Sequence, residues 1–291
     1  MMKIVKLLGG LGNQMFQFAL YEALRKHFPE ERVLLDLHCF KGYKKHCGFE
    51  LDKVFGVTYE EASLWDVTKL AYPYFSYPAW RFASRILPVR KTMLKEKPDF
   101  TIETNALTRK GSVYYDGYWQ HEEYFKDILK DIVELYRFPE FKDEQNMKLA
   151  QKLSATHSCA IHIRRGDYLT DPLRAGTIDG AFSERAIKRM KDRINPRMWC
   201  VFSDDIAWAK EHMGKTLPAD RTVFVDWNQG VESYNDIHLM TLCQHHIIAN
   251  STFSWWGAWL CQRKDKTIIA PKQWMNMANV CSPVPKDWIV I

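Results

Sequence analysis

Short apolar runs alternate along the chain with stretches of helical period. Ile4, Val5, Leu7 and Leu8 form an apolar run that stops at Gly9, Gly10 and Gly12. An apolar-rich helical stretch covers residues 14–28, with Asn13 as its expected N-cap and Pro29 as its stop. Apolar residues return over 32–37, RVLLDL. Strand, helix and strand joined by short turns make a βαβ unit, which implies a parallel sheet with helices on its faces.

Between 41 and 110 the periodicity weakens and Tyr, Pro, Trp and Lys accumulate, which predicts helices and loops inserted into a first domain. SVYY at 112–115 reads as a strand, followed by DGYWQ and a helix over 121–136. Residues 139–144 punctuate the chain, so a domain boundary is expected between 138 and 157. Alternation then resumes, with strands expected at 159–163, 199–203, 222–225, 247–249 and 267–270. Helices are expected at 182–194, 208–213, 233–243 and 252–261. The expected organisation is an α/β domain over 1–145 and a second over 146–291, with a cleft between them.

Composition narrows the function classes. The 291 residues suffice for two domains, and 46% hydrophobic with 26% charged residues is a folded, globular composition. A net charge of +6 suits anionic small molecules or an anionic membrane surface. No basic tail or arginine–glycine repeat appears, so nucleic acid is not an expected partner. Seven cysteines without a CxxC, several inside apolar strands, predict reduced thiols and a cytoplasmic protein. The opening MMKIVKLLGGLGNQ is no signal peptide, and no apolar run approaches the roughly 18 residues of a membrane span. The protein should be soluble, or at most peripheral on the inner face of a membrane.

Several motifs carry candidate chemistry. GGLGNQM follows a strand and opens a helix, so its amides can face a ligand. Against the dinucleotide fingerprint GxGxxG, Gly10 and Gly12 match but Met15 stands where the third small residue belongs. Asp36 lies at the right distance for a ribose-binding acid, which keeps an NAD(P)-dependent oxidoreductase as the alternative reading. In HIRRGDY, strand alternation sets His162 and Arg164 on one face and Arg165 on the other. One arginine can clamp a diphosphate while the other ties the loop to Asp167; Arg165 is the better candidate for a structural Arg–Asp network. Asp204 and Asp205 close the WCVFS strand, but the chain has no Asp-x-Asp metal signature. His238, His245, His246 and Cys243 lack the spacing of a zinc site. In ANSTFSWWGAWL, Ser251, Thr252 and Ser254 gather hydroxyls and free amides at a helix start, an uncharged cradle for phosphate. Trp255, Trp256 and Trp259 read as packing.

GGLGNQMFQ, HIRRGDY, FSDD and ANSTFSWW, in that order, make the chain resemble the bacterial α-1,2-fucosyltransferases, in the glycosyltransferase family shared with the animal blood-group H enzymes. The resemblance runs from Lys3 to about Leu260. It implies a GT-B fold, two Rossmann-like domains facing each other across a cleft, with the first on the acceptor side and the second holding GDP-L-fucose. It implies an inverting transfer of L-fucose from GDP-β-L-fucose to the 2-hydroxyl of a terminal galactose, with no metal and no cofactor. Arg164 would contact the β-phosphate, His162 the nucleotide, Asp204 or Asp236 the ribose and guanine, and Ser251, Thr252 and Ser254 the diphosphate. Gly12 and Asn13 would close over the fucose. Asp116, Glu122 and Glu123 are candidate bases, beside a mechanism with no dedicated base. The acceptor would be a β-galactoside-terminated oligosaccharide or a lipid-linked glycan, with peripheral membrane contact left open.

Overall fold

Four parallel strands carry the N-terminal unit: β1 (Met2–Lys6), β2 (Arg32–Asp36), β3 (Met93–Lys95) and β4 (Val113–Asp116), in the order β2–β1–β4–β3. Around them pack α1 (Leu11–His27), α2 (Leu51–Phe55), α3 (Leu64–Leu70), α4 (Tyr77–Ile86) and α5 (Leu129–Leu135). Ile4 lies level with Leu34 and with Tyr114, and these three join Val67, Leu70 and Tyr74 in one core. The coordinates are a computed structural model describing residues 1–178 and 180–291, and the chain divides into units Met1–Phe138 and Pro139–Ile291.

The second unit begins with α6 (Glu144–Ala155), followed by β5 (Ser158–Ile163), α7 (Gly180–Arg193), β6 (Met198–Ser203) and α8 (Ile206–Met213). It continues through β7 (Thr222–Val225), α9 (Tyr234–Leu242), β8 (His245–Ile247), α10 (Thr252–Trp259), β9 (Ile268–Ala270) and β10 (Ile289–Val290). Its sheet has six parallel strands ordered β10–β9–β8–β5–β6–β7. Strand alternation divides the core in two. Cys159, Ile161, Trp199 and Val201 face Phe182, Ile187 and Met190 of α7 and Met213 of α8. Ala160, Cys200 and Phe202 face Leu149 and Leu153 of α6 and Leu239 and Met240 of α9. Helices therefore cover both faces of a parallel sheet, as βαβ alternation requires.

The α/β class expected from the alternation is observed in both units. Local differences have local causes. Helix α1 starts at Leu11 with Gly10 as its N-cap, so Asn13 lies inside the first turn and does not cap it. Its apolar stretch is still buried, and Pro29 follows its end. The expected helix over 121–136 is two 3₁₀ turns, Glu122–Tyr124 and Lys126–Ile128, before the short α5. Helix α6 falls in the stretch read as a boundary; only Asn146, Leu149 and Leu153 of it are buried, too narrow a stripe to mark a helix. Strand β8 lies two residues earlier than expected because His245 and His246 are buried in the sheet, where histidine is an unusual strand filler. Strands β3 and β10 had no period long enough to read. Among the described residues no helix is long and apolar enough to cross a membrane.

Candidate active site

The strands of the second sheet are parallel, so their C-terminal ends open on one edge, where ligands bind in such folds. Residues 164–167 leave β5 there. Arg164 spreads its guanidinium over two carboxylates, with Nη2 donating to Asp167 Oδ1 at 2.8 Å and Nε facing Asp204 Oδ2 at 3.2 Å. One hydrogen bond and one ion pair, to different carboxylates, thereby orient the guanidinium. The backbone N–H of Arg165 donates to Asp204 Oδ1 at 2.8 Å, so Asp204 grips the loop at two points. Arg165 itself turns away: Nε meets Asp205 Oδ2 at 3.2 Å and the guanidinium lies 4.3 Å from the Trp208 ring centroid. The tie to Asp167 thus comes from Arg164, while Arg165 belongs to a structural network. Asp205 also caps α8 by accepting from Trp208 N, so the two adjacent aspartates point to different work.

His162 precedes this loop on the face shared with Ala160 and stacks on Phe253 of α10 at 5.7 Å between centroids. It is buried, its Nδ1 has no hydrogen-bond partner, and burial, with Arg164 adding to it, pushes its pKa down to about 3. The ring is therefore neutral at physiological pH, with one nitrogen uncommitted. On the neighbouring strand end, Asn250 donates to Thr177 Oγ1 at 2.8 Å and to the Trp274 carbonyl at 2.9 Å, while its Oδ1 is buried without a partner. Tyr168 donates its hydroxyl to the Asn250 carbonyl at 3.0 Å, tying the 164–168 loop to the turn before α10.

Ser251 is the N-cap of α10 but makes no side-chain capping bond, so its hydroxyl is not spent on the helix's first turn. Thr252 begins the helix, half-buried. Ser254 is buried and turns its hydroxyl back to the Ser251 carbonyl at 3.3 Å. Trp255 and Trp256 are fully buried, and Trp255 stacks on Trp259 at 5.8 Å, so the tryptophans are core. Asp236 stands in α9, bonded to Asn228 Nδ2 at 2.8 Å, and burial raises its pKa to about 7. Asn228 in turn bonds Asn146, which accepts from Trp227 Nε1 at 2.7 Å. Asp204 and Asp236, paired as candidates for one nucleoside, therefore sit in separate networks.

The first unit holds the remaining candidates. Gly9 has φ +104°, which only glycine adopts readily, and lets the chain turn from β1 into α1. Gln14 braces that turn by donating to the carbonyls of Gly9 and Gly48 at 2.9 and 2.7 Å, and Gln17 accepts from Leu8 N. Gly12 is buried in the first turn of α1, and Asn13 accepts from Gln120 Nε2 at 3.0 Å. Gln120 sits on a turn held by Glu96, whose carboxylate accepts from Tyr118 N at 2.7 Å. Burial raises the Glu96 pKa to about 7. Asp116 is buried, paired with Lys6 Nζ, and accepts from Trp80 Nε1 at 3.3 Å. Glu123 pairs with Lys126 at the surface. Asp36 is wholly buried and bound by the Tyr114 hydroxyl at 2.6 Å and by His38 Nδ1 at 2.8 Å, which removes it as a ribose ligand. Among the described residues no three His, Cys, Asp or Glu side chains gather into a group that could hold a metal ion. Sequence reading missed Tyr168, Glu96 and Gln120; a tyrosine beside the arginines was the only signal among them.

An oriented guanidinium after β5 and the start of α10 after β8, on neighbouring parallel strands, make this strand edge a candidate site for a phosphorylated ligand. Residues 89–291 match glycosyl transferase family 11. The chain is 33% identical, over 99% of its length and 98% of the relative's, to an alpha-1,2-colitosyltransferase of Escherichia coli. It is 29% identical, over 97% of each chain, to the O-antigen biosynthesis glycosyltransferase WbnK of the same species. Galactoside alpha-(1,2)-fucosyltransferase 1 of Homo sapiens is 34% identical over 34% of this chain and 28% of that one. The chain belongs to glycosyl transferase family 11 and is a glycosyltransferase; the oxidoreductase alternative finds no support.

Proposed function

We propose that the protein moves L-fucose from GDP-β-L-fucose to the 2-hydroxyl of a terminal β-galactoside, with inversion. The observation that carries this is Arg164, oriented by Asp167 and Asp204 in the loop that Tyr168 ties to the turn before α10. Departure of GDP leaves negative charge on the β-phosphate. A fixed guanidinium and helix amides are strongest where that charge develops. The same guanidinium and amide dipoles would let the reaction run without a metal. His162 Nδ1 and the Asn250 carboxamide supply neutral contacts for the nucleotide side, Asp204 the loop's order, and Asp236 a carboxyl for the guanine or ribose. Ser251 and Thr252 offer hydroxyls to the diphosphate, whereas Ser254 contributes through its backbone. Gly12 and Asn13, on the acceptor-side unit of a GT-B pair, would bear on the fucose.

Asp116 is already shared between Lys6 and Trp80, so the reading uses no dedicated base. The donor bond loosens first and its electron pair leaves with GDP, the sugar takes up oxocarbenium character, and the acceptor hydroxyl gives its proton to solvent water as the new bond forms. Seven unpaired cysteines support a reducing, cytoplasmic site of action. The relative named for colitosyl transfer favours a second donor, the GDP derivative of colitose, which is fucose without its 3-hydroxyl. Incubating the chain with each GDP-sugar and a β-galactoside tests both. GDP release with an α-1,2 linkage by NMR is the expected result. Absence of GDP release from either donor would overturn the assignment.

A further inference from the structure

Helix α4 has no fully buried residue, yet it is firmly held. Its inner face carries Trp80, whose indole Nε1 donates to Asp116 and whose ring lies 3.6 Å from Lys6 Nζ, with Ala83 packed on the same core. The opposite face presents Phe82 and Ile86, 67% and 60% exposed, and the turn after it presents Val89, 56% exposed. Arg81 and Arg85 lie in the adjacent column at the same four-residue spacing, and among the described residues neither meets a carboxylate. Residues 67–95 contain Lys69, Arg81, Arg85, Arg90, Lys91 and Lys95 and no Asp or Glu. Elsewhere in the chain acids and bases are equal in number, so this stretch accounts for the whole net charge of +6.

We infer that α4 and the turn 87–91 form a docking face for an anionic lipid bilayer. An exposed apolar column flanked by arginines matches the two components of such a surface: Phe82, Ile86 and Val89 enter the acyl boundary while Arg81 and Arg85 meet lipid phosphates. On a bilayer the arginine stems can lie along the apolar column while their charged ends stay at headgroup level. A second protein could use the apolar column, but the one-sided charge fits a continuous anionic surface. The absence of any carboxylate is what such a surface demands. This face takes up the peripheral membrane contact that the sequence left open and does not depend on which sugar is transferred.

Vesicle sedimentation of the full chain tests it, because binding is read without turnover. The chain should pellet with phosphatidylcholine–phosphatidylglycerol vesicles, not with phosphatidylcholine alone, and high salt should release it. Arg81→Gln with Arg85→Gln should weaken that binding by roughly thirtyfold, and Phe82→Ser with Ile86→Ser should abolish it. Both pairs are exposed, so melting temperature and GDP release with a soluble acceptor should stay at the parent values. Equal binding to neutral and anionic vesicles, or binding untouched by both double variants, would overturn the inference. So would a failure to bind combined with dimerisation that Phe82→Ser disrupts, which would give the face to a second copy of the chain.

Discussion

The Oδ2 atom of Asp204 lies 2.6 Å from where a Cβ on Gly166 would stand. The carboxylate that orients Arg164 Nε and holds Arg165 N therefore fills the space that any other residue at 166 would need. Gly166→Ala must push Asp204 off at least one of those contacts. With Arg164 serving the departing phosphate as proposed, a displacement of this kind costs about a hundredfold in turnover. Donor turnover should drop by that order while circular dichroism and melting temperature stay close to the parent. Unchanged turnover would show that Asp204 is not what positions Arg164.

Arg164→Lys keeps the charge but cannot face Asp167 and Asp204 with one planar fork. Loss of a donor that acts on developing charge typically costs about a hundred- to a thousandfold. The variant should lose kcat by that order, with KM for the GDP-sugar changed far less. An equal rise in KM with kcat preserved would assign Arg164 to ground-state binding alone.

Much of the second unit was legible because its strands are apolar and bounded by charge. Strand β7 is observed where TVFV placed it, and β5 and β6 begin one residue before the expected 159 and 199. The edge residues were legible for the same reason: an apolar strand ending in two arginines, or in two aspartates, sets those groups at the sheet's open end. Partner choice was not legible. Nothing in HIRRGDY says that Arg164 takes Asp167 while Arg165 stacks on Trp208, because that choice depends on where β6 delivers Asp204 and Asp205. In the first unit, Asn13 looked like a cap because it follows glycines. Gly10 takes that position instead, and Gln14 closes the turn with bonds to Gly9 and to Gly48, a partner 34 residues away that no local pattern encodes.

Asp236 gives a prediction in pH. Burial raises its folded pKa to about 7 from the ordinary 3.8, against the lowering effect of the Asn228 hydrogen bond. The folded state thus holds a proton that the unfolded chain releases. The stability from the protonated carboxyl is complete below about pH 3.8 and is lost as pH rises towards 7. Asp236→Asn keeps an oxygen for Asn228 and never ionises. Its melting temperature should pull ahead of the parent through that window and hold a constant lead above it. If the carboxylate also receives the guanine or ribose, the same variant should bind GDP more weakly. A lead that does not change with pH would contradict the raised pKa.

Asp116 separates a structural role from a catalytic one. It joins the end of β4 to Lys6 of β1 and to Trp80 of α4, and both Lys6 and Asp116 are buried. Removing one charge of a buried pair strands the other, at a cost of about 3–5 kcal/mol, whereas neutralising both is far milder. Asp116→Asn should therefore lower the melting temperature sharply, and Lys6→Met in the same chain should restore much of it. Because Trp80 hangs on the same carboxylate, the single variant should also loosen α4, which faster hydrogen exchange over residues 77–86 would report. A base would behave otherwise: Asp116→Asn would melt like the parent and lose turnover, and Lys6→Met would bring no recovery. The stability measurement decides between the two, since only the ion pair predicts rescue by a second loss of charge.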